Sequence, residues 1–424
     1  MINRIETSWT KEQVQDLIKR EKLAYQKIDL PYGLSTGGKD RSATSAAVFA
    51  DEVKGKSVLD VGCFLGYFCH EAVRRGASRV VGIDVDENRL RQAGLVADCL
   101  GMDIEFRLLD IEQDKLTEQF DVTLMLNVLH HFRNPITVID KVIAHTRERI
   151  ILEVASPSSA RPGKLLKSMG ASWWARRRLD RLPLIVVGRD WAVNRGNEQK
   201  YFFTPSALTH LLMEQRGSFS RLELKTSGFK KRYIGVAWKR HVGYLLIIGG
   251  TTSSGKSTLI SRLKQGKLPE VAEAIDMDAR DNWIYTDAVR IRNIETENIQ
   301  KAVYHYDLLR TFKSDTYTYS REQGIDVLDC ADKRSAVTIW CDPDVMCQRQ
   351  QTKLRKGMRH WRERRVKDVL ALYKDGRQLA QQYRKWIAYC RQKHVQLFFV
   401  DCTDEPRLLT ESEWDKKVKS LERA

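Results

Sequence analysis

The chain of 424 residues predicts an α/β protein built as two doubly wound domains, and three observations predict it. Two glycine loops stand nearly two hundred residues apart, Asp60-Val-Gly62-Cys-Phe-Leu-Gly66 and Gly250-Thr-Thr-Ser-Ser-Gly255-Lys256-Ser257-Thr258, each between a short apolar run and a helical pattern. Around both loops, apolar runs alternate with amphipathic stretches, as in strand–helix–strand units on a parallel sheet. The length also exceeds what a single hydrophobic core organises.

In order along the chain, Thr10-Lys-Glu-Gln13 has capping-box spacing and opens an amphipathic helix, with Val14, Leu17, Ile18 and Tyr25 expected on one side. The turn-rich stretch Ile28 to Arg41 completes an N-terminal segment, 1–44, which reads equally as a cover for the sheet or as a lid on the acceptor side. Lys56 to Asp60 is a short strand, the first glycine loop follows, a helix runs from Cys69 to Arg75, and Val80 to Asp84 is a second strand ending in a carboxylate. A carboxylate about 20 residues beyond a glycine loop is placed to hold ribose hydroxyls.

The order D-x-G-x-x-x-G, then Asp84, Phe106-Arg-Leu-Leu-Asp110 and Phe120-Asp-Val-Thr-Leu-Met-Leu-Asn127-Val-Leu-His130-His131, resembles the class I S-adenosylmethionine-dependent methyltransferases over roughly residues 45–240. The resemblance implies a Rossmann-like domain in which Asp60, Gly62 and Gly66 border the methionine portion, Asp84 the ribose and Asp110 the adenine, with Asn127 among the cofactor contacts. One departure is Phe64, where the family usually has glycine; its ring would crowd the cofactor or point away while its amide works. His130 and His131 follow the fourth strand, and His130 is preferred as the base for a hydroxyl acceptor. Val128 to Pro135, with Lys200 to Leu208, is similar to the subfamily of tRNA wobble-uridine carboxymethyl transfer enzymes, and Tyr201-Phe-Phe and Tyr233 to Trp238 are expected to be the closing strands.

Between Glu153 and Tyr201 lies an insertion, 157–200, that contains Trp173-Trp174-Ala-Arg176-Arg177-Arg178. Residues 151–240 hold 18 Lys/Arg against 6 Asp/Glu, so they account for +12 of the formal net charge of +17. A basic surface with aromatics suits a phosphorylated substrate, RNA or an anionic membrane surface. The opposed reading makes the tryptophans core and the arginines a solvated face. Lys239 to Gly243 is the linker, and its shortness predicts abutting domains.

The second domain, 241–424, opens on Tyr244-Leu-Leu-Ile-Ile, and its loop fits G-x-x-x-x-G-K-[ST] between strand and helix. In such a loop the amides of Gly250 to Thr258 wrap nucleotide phosphates, Lys256 reaches the β/γ oxygens, and Ser257 ligates Mg²⁺. Ala274-Ile-Asp276-Met-Asp278, expected at the end of the next strand, resembles the D-x-D of P-loop small-molecule kinases. This implies a P-loop NTPase/kinase fold with ATP as cofactor, Asp276 organising Mg²⁺ and Asp278 facing the acceptor hydroxyl. Cys347 to Arg359 looks like the basic lid helix of those kinases, bringing Arg349 and Arg355 over the transferring phosphate. His305 is expected in the core. No N-K-x-D guanine motif is present, and no apolar run ending in Asp-Glu follows the loop, so GTPase and AAA-type readings are weaker.

The eight cysteines form no C-x-x-C pair, and Cys63, Cys69 and His70 fall inside the first loop and helix, which argues against zinc and for a reducing compartment. The start, Met-Ile-Asn-Arg-Ile-Glu-Thr, lacks a signal-type apolar core, and no run is long enough to span a bilayer. The sequence therefore predicts a cytoplasmic bifunctional enzyme, allowed a peripheral contact with the inner membrane. It methylates and phosphorylates a saccharide or lipid-linked saccharide, with one acceptor serving both sites and two independent reactions read equally. Two alternatives remain open, RNA modification and a methyltransferase with a nucleotide-sensing second domain.

Overall fold

The computed structural model describes residues 8–157, 167, 170, 172, 174, 178, 181–189, 199–214, 219–230, 232–287, 290, 298–308, 328, 330–355, 367 and 369–423. The chain divides into two compact units, Met1–Glu214 with Arg221–Lys239 and Gln215–Ser220 with Arg240–Ala424.

In the first unit, helix α1 (Lys11–Arg20) starts on a complete capping box, the Thr10 hydroxyl accepting from the Gln13 amide and the Gln13 side chain from the Thr10 amide. Its apolar stripe is Val14 and Leu17. Tyr25, expected on that stripe, lies beyond the helix: the chain turns left-handed at Lys22 (φ 50°) and again at Tyr25 (φ 82°), which ends the helical register and leaves the Tyr25 ring partly in solvent.

The strands of this unit are β1 (Ser57–Val61), β2 (Arg79–Asp84), β3 (Glu105–Leu108), β4 (Phe120–Leu126), β5 (Thr146–Ala155), β6 (Ile185–Arg189), β7 (Gln199–Phe203), β8 (Phe219–Thr226) and β9 (Arg232–Lys239). Seven of them form one sheet in the order β3-β2-β1-β4-β5-β9-β8. β1 to β5 are mutually parallel and β9 runs antiparallel to β5. Strands buried on both faces read as continuous apolar runs, and Val122 to Met125 of β4 are fully buried. Among the described residues the further helices of the unit are α2 (Ser42–Val48), α3 (Tyr67–Arg74), α4 (Glu87–Cys99), α5 (Pro135–Ala144) and α6 (Pro205–Thr209).

Tyr201-Phe-Phe is not a closing strand of that sheet. It belongs to β7, which pairs antiparallel with β6 in a separate ribbon, Ile185 opposite Phe203 and Val187 opposite Tyr201. The edge of β5 is occupied along its length by β9, from Arg149↔Trp238 to Ala155↔Arg232, so the aromatic run pairs instead with the β-branched run Ile185-Val-Val.

In the second unit, β10 (His241–Gly250), β11 (Ile284–Thr286), β12 (Asn298–Asp307), β13 (Ala331–Trp340), β14 (Gln396–Asp401) and β15 (Arg407–Leu409) form a sheet in the order β11-β12-β10-β13-β14-β15, parallel except for β15. Among the described residues its helices include α7 (Lys256–Lys264), α8 (Pro269–Ala274), α9 (Pro343–Arg355), α10 (Gly376–Gln392) and α11 (Glu411–Leu421). A buried aromatic group including Tyr306, Trp340, Tyr383, Trp386 and Trp414 fills one side. Arg240 alone separates β9 from β10, so the expected five-residue linker contracts to one.

In each sheet the first strand of the unit lies between strands reached in opposite directions, β2 and β4 beside β1, β12 and β13 beside β10. Ligands of open α/β sheets bind at such switch points, outside the carboxyl ends of the strands. Both glycine loops leave the sheets there.

Candidate active sites

A cavity of about 890 Å³ opens at the carboxyl ends of β1, β2 and β4. The first glycine loop forms its floor. Gly62 has φ 73°, and a side chain there would begin 2.7 Å from the Val128 side chain, so both backbone and space require glycine. Gly66 (φ 76°) is the N-cap of α3 and is not one of the lining residues. Phe64 takes φ 56°; its amide donates to Asp84 Oδ2 (3.2 Å) while its ring stands 4.6 Å from that of Tyr25, with the Arg89 guanidinium 4.2 Å from its centroid. The departure from glycine thus builds a wall and keeps the amide at work.

Asp84 ends β2 on the cavity wall, its carboxylate also accepting from the Val85 (2.8 Å) and Asp86 (3.1 Å) amides. Asp60 lies deeper, 2% exposed. Burial pushes its carboxyl up to about 7, against a hydrogen bond from the Cys69 thiol (3.5 Å) and with the Asp84 charge adding to the rise. The folded value lies above the unfolded one, so folding favours protonated Asp60. The resulting stability is complete below about pH 4 and is lost as pH rises through about 7. Asp60→Asn is therefore expected to gain stability relative to the parent between about pH 5 and about pH 8, by at most about 4 kcal/mol, in chemical denaturation. A constant difference across that range would remove the buried-acid reading.

The N-terminal segment supplies a wall the glycine-loop motif could not announce. Tyr25, Gln26 and Arg41 line the cavity. Gln26 Oε1 accepts from the amides of Leu65 (3.2 Å) and Tyr67 (3.4 Å), bracing the loop from the far side. Arg41 is 4% exposed, 3.7 Å from the buried Glu153 carboxylate and 4.4 Å from the Phe229 ring centroid, and its Nε has no hydrogen-bond partner among the described residues. The only sequence signal was its place in the turn-rich stretch before the first strand.

After β4, Asn127 takes φ 60°, donates its amide to Glu153 O (2.9 Å), and carries a buried Oδ1 without a partner among the described residues. The preference for His130 is corrected here. A 3-10 turn over Leu129–His131 brings the two rings to 4.0 Å, with His131 lining the cavity and His130 stacked toward Phe202 at 6.5 Å. Asp110 is not a lining residue either; its carboxylate accepts from the Glu112 amide in the turn after β3.

In the second unit the loop from Gly250 to Ser257 joins β10 to α7. Ser253 (φ 66°) and Gly255 (φ 103°) are left-handed, and a side chain at Gly255 would begin 3.0 Å from Cys402 Cβ. Lys256 Nζ curls back onto the carbonyls of Gly250 (2.7 Å) and Thr251 (2.6 Å). Ser257 and Thr258 are exposed in the first turn of α7, beside a groove of about 620 Å³.

The D-x-D roles do not survive. Residues 274–278 end α8 and turn; they do not end a strand. Asp276 pairs with Lys333 (2.5 Å), which stands in register with Tyr244, and the Tyr244 hydroxyl donates to Ile275 O. Gly250 lies six residues further along β10, so Asp276 sits at the amino end of the sheet, roughly 20 Å from the loop. Asp278 is held at about 2 by the Arg280 guanidinium and amide, a poor proton acceptor. The carboxylate beside the loop is Asp307, at the end of β12 opposite Gly250, accepting from the Thr252 hydroxyl (2.9 Å). Asp287 follows the last residue of β11. His305, half-buried on β12, is pushed below the usual imidazole range by burial and by the Lys256 charge.

Arg349 is not a lid residue. Its guanidinium donates to the carbonyls of Ser253 (3.3 Å), Cys402 (3.3 Å) and Thr403 (2.9 Å), tying α9 to the glycine loop and to the loop after β14. Those carbonyls need donors, and the Arg349 fork supplies them. Arg176, Arg177 and the Arg355 side chain lie outside the described residues; Arg178 is exposed. Among the described residues no cluster of three metal-ligating side chains occurs, and no helix is long and apolar enough to cross a membrane.

A family profile for a methyltransferase domain matches residues 52–180. The chain is similar to the ubiquinone biosynthesis O-methyltransferase of Bradyrhizobium diazoefficiens, 26% identical over 162 residues, covering 38% of this chain and 58% of that protein. It is similar to the same enzyme of Pseudomonas entomophila, 41% identical over 87 residues, 20% of this chain and 37% of that protein, and of Bartonella bacilliformis, 27% identical over 221 residues, 49% and 77%. The chain spans about three-fifths of the length of the Bradyrhizobium relatives it matches. Among solved structures, the N-terminal domain of EvdMO1 with SAH and D-fucose aligns at 16% identity over 55% of this chain and 98% of that one, TM-score 0.41. Magnesium protoporphyrin IX methyltransferase from Synechocystis with SAH aligns at 20% identity over 47% and 81%, TM-score 0.34. Residues 52–180 are thus similar to a methyltransferase domain.

Proposed function

We propose that this chain is a two-site transferase, the first unit moving a methyl group from S-adenosylmethionine to a hydroxyl acceptor and the second a phosphoryl group from ATP. The observation that carries the first half is the charge layout of the 890 Å³ cavity. The amino-acid end of S-adenosylmethionine presents an ammonium and a carboxylate, and the cavity lining includes the Asp60 carboxyl and the Arg41 guanidinium. Asp84, fixed by three amides, suits a ribose diol. The cofactor supplies an electrophilic methyl on sulfonium. The protein's own part is to align the acceptor oxygen and take its proton, for which His131 is the base at the cavity. The O-methyltransferase names of the relatives favour an oxygen acceptor, and a saccharide or lipid-linked saccharide belongs to that class. Calorimetric titration of the full chain with S-adenosylhomocysteine tests the reading; a thermogram without binding would remove it.

The second half is supported by the glycine loop at the switch point of its sheet and by Lys256 beside it. Phosphoryl transfer is positioning and charge neutralisation, so a lysine, a metal and an orienting carboxylate suffice. Ser257 and Asp307 are the groups to hold Mg²⁺ with the nucleotide, in place of Asp276. With ATP turnover as the measure, Asp307→Asn is expected to lose roughly 10–100-fold. Asp278→Asn should stay within about twofold, as an exposed substitution does. The reverse order would return the acceptor role to the D-x-D.

A further inference from the structure

The ribbon of β6 and β7 turns an apolar face to solvent in a basic part of the chain. Ile185 and Val187, two apart on β6 and so on one face, are 42% and 54% exposed; Leu182 is 50% and Trp174 66% exposed. These are four of the eight large hydrophobics exposed among the described residues, and they fall within fourteen positions. Residues 157–200 carry ten Lys/Arg against three Asp/Glu.

Arg133, Lys167, Arg178 and Arg181 are exposed and join no ion pair among the described residues. Arg133 and Ile185 line one groove of about 410 Å³ beside Tyr201, whose hydroxyl donates to Arg133 O (3.2 Å), so cation and apolar face are adjacent.

We propose that this face docks on an anionic phospholipid surface, Ile185, Val187 and Leu182 entering the headgroup–acyl boundary while Arg133, Arg178 and Arg181 meet lipid phosphates. Apolar burial combined with attraction to anionic lipid is how interfacial elements bind. A nucleic acid would be met by the same cations, but of the four exposed side chains only Trp174 offers a base a ring to stack on, while Leu182, Ile185 and Val187 suit the headgroup–acyl boundary. Docking would hold the first unit at the membrane plane, where a lipid-linked acceptor resides. The docking stands apart from the proposed chemistry and is read by binding alone.

The test is co-sedimentation of the full chain with phosphatidylcholine vesicles, with and without phosphatidylglycerol, at low and high salt. Binding is expected only with phosphatidylglycerol, falling at least about tenfold at high salt as surface charges are screened. The Ile185→Asp/Val187→Asp variant, at two solvent-facing positions, should lose at least about tenfold in vesicle binding. Arg178→Glu/Arg181→Glu serves as a second variant outside the ribbon, with the same expectation. Calorimetry with S-adenosylhomocysteine reports on folding, since neither pair lines the cavity. Absence of binding by the parent chain overturns the proposal, as does salt-insensitive binding or a folded variant that binds like the parent. Competition by an RNA oligonucleotide that leaves the aspartate variant equally bound to RNA and vesicles would make the face a polyanion site and overturn it too.

Discussion

Lys256→Ala is expected to lower phosphoryl transfer from ATP by about 10²–10³-fold while methyl transfer persists. The ammonium is buried and held by the carbonyls of Gly250 and Thr251, so it is already desolvated and aimed along the loop. A nucleotide's terminal phosphates offer a stronger partner than two carbonyls, and charge developing on the transferring group stays near the same ammonium. Alanine removes the only charged group of the loop segment 250–258. A second readout separates this from simple unfolding. The Lys256 charge helps hold the His305 imidazole below its usual range, so His305 should titrate at higher pH in the variant, followed by proton NMR. Unchanged turnover in a folded Lys256→Ala protein would end the kinase reading.

Asp84→Ala is expected to weaken S-adenosylmethionine binding by about 1.5–3 kcal/mol, roughly 10–150-fold in Kd. The carboxylate is oriented before any ligand arrives by the amides of Phe64, Val85 and Asp86, so little ordering cost offsets the hydrogen bonds it makes to a ribose diol. Its loss also leaves the Phe64 amide without an acceptor at the floor of the cavity. Adenosine alone should show nearly the same loss as the full cofactor, because the diol is common to both. Equal affinity of parent and variant in calorimetry would move the ribose elsewhere.

The two glycine loops, the strands before them and the helices after them were legible in the sequence because what they do is local. Left-handed backbone at Gly62, Gly66 and Gly255 is demanded within a few residues, and Lys256 and Asp84 stand at short spacings from the loops that give them meaning. The capping box at Thr10 was legible for the same reason. Tertiary structure alone decided which distant groups face those loops. Asp276 and Asp278 had the right spacing from Lys256, yet α8 and a turn leave them at the amino end of the sheet, while β12 delivers Asp307 to the loop from fifty-one residues away. Arg41 and Gln26 precede the first strand and reach the cavity only because the N-terminal segment folds over it. His131 rather than His130 faces that cavity because a 3-10 turn sets the direction of each ring. Tyr201-Phe-Phe has strand composition, but which edge it pairs with depended on β9 already occupying β5. Local backbone demands are written in neighbouring residues; the choice of partner across a sheet edge or a cavity is settled by competition among segments far apart in the chain, and single-chain spacing carries no record of it.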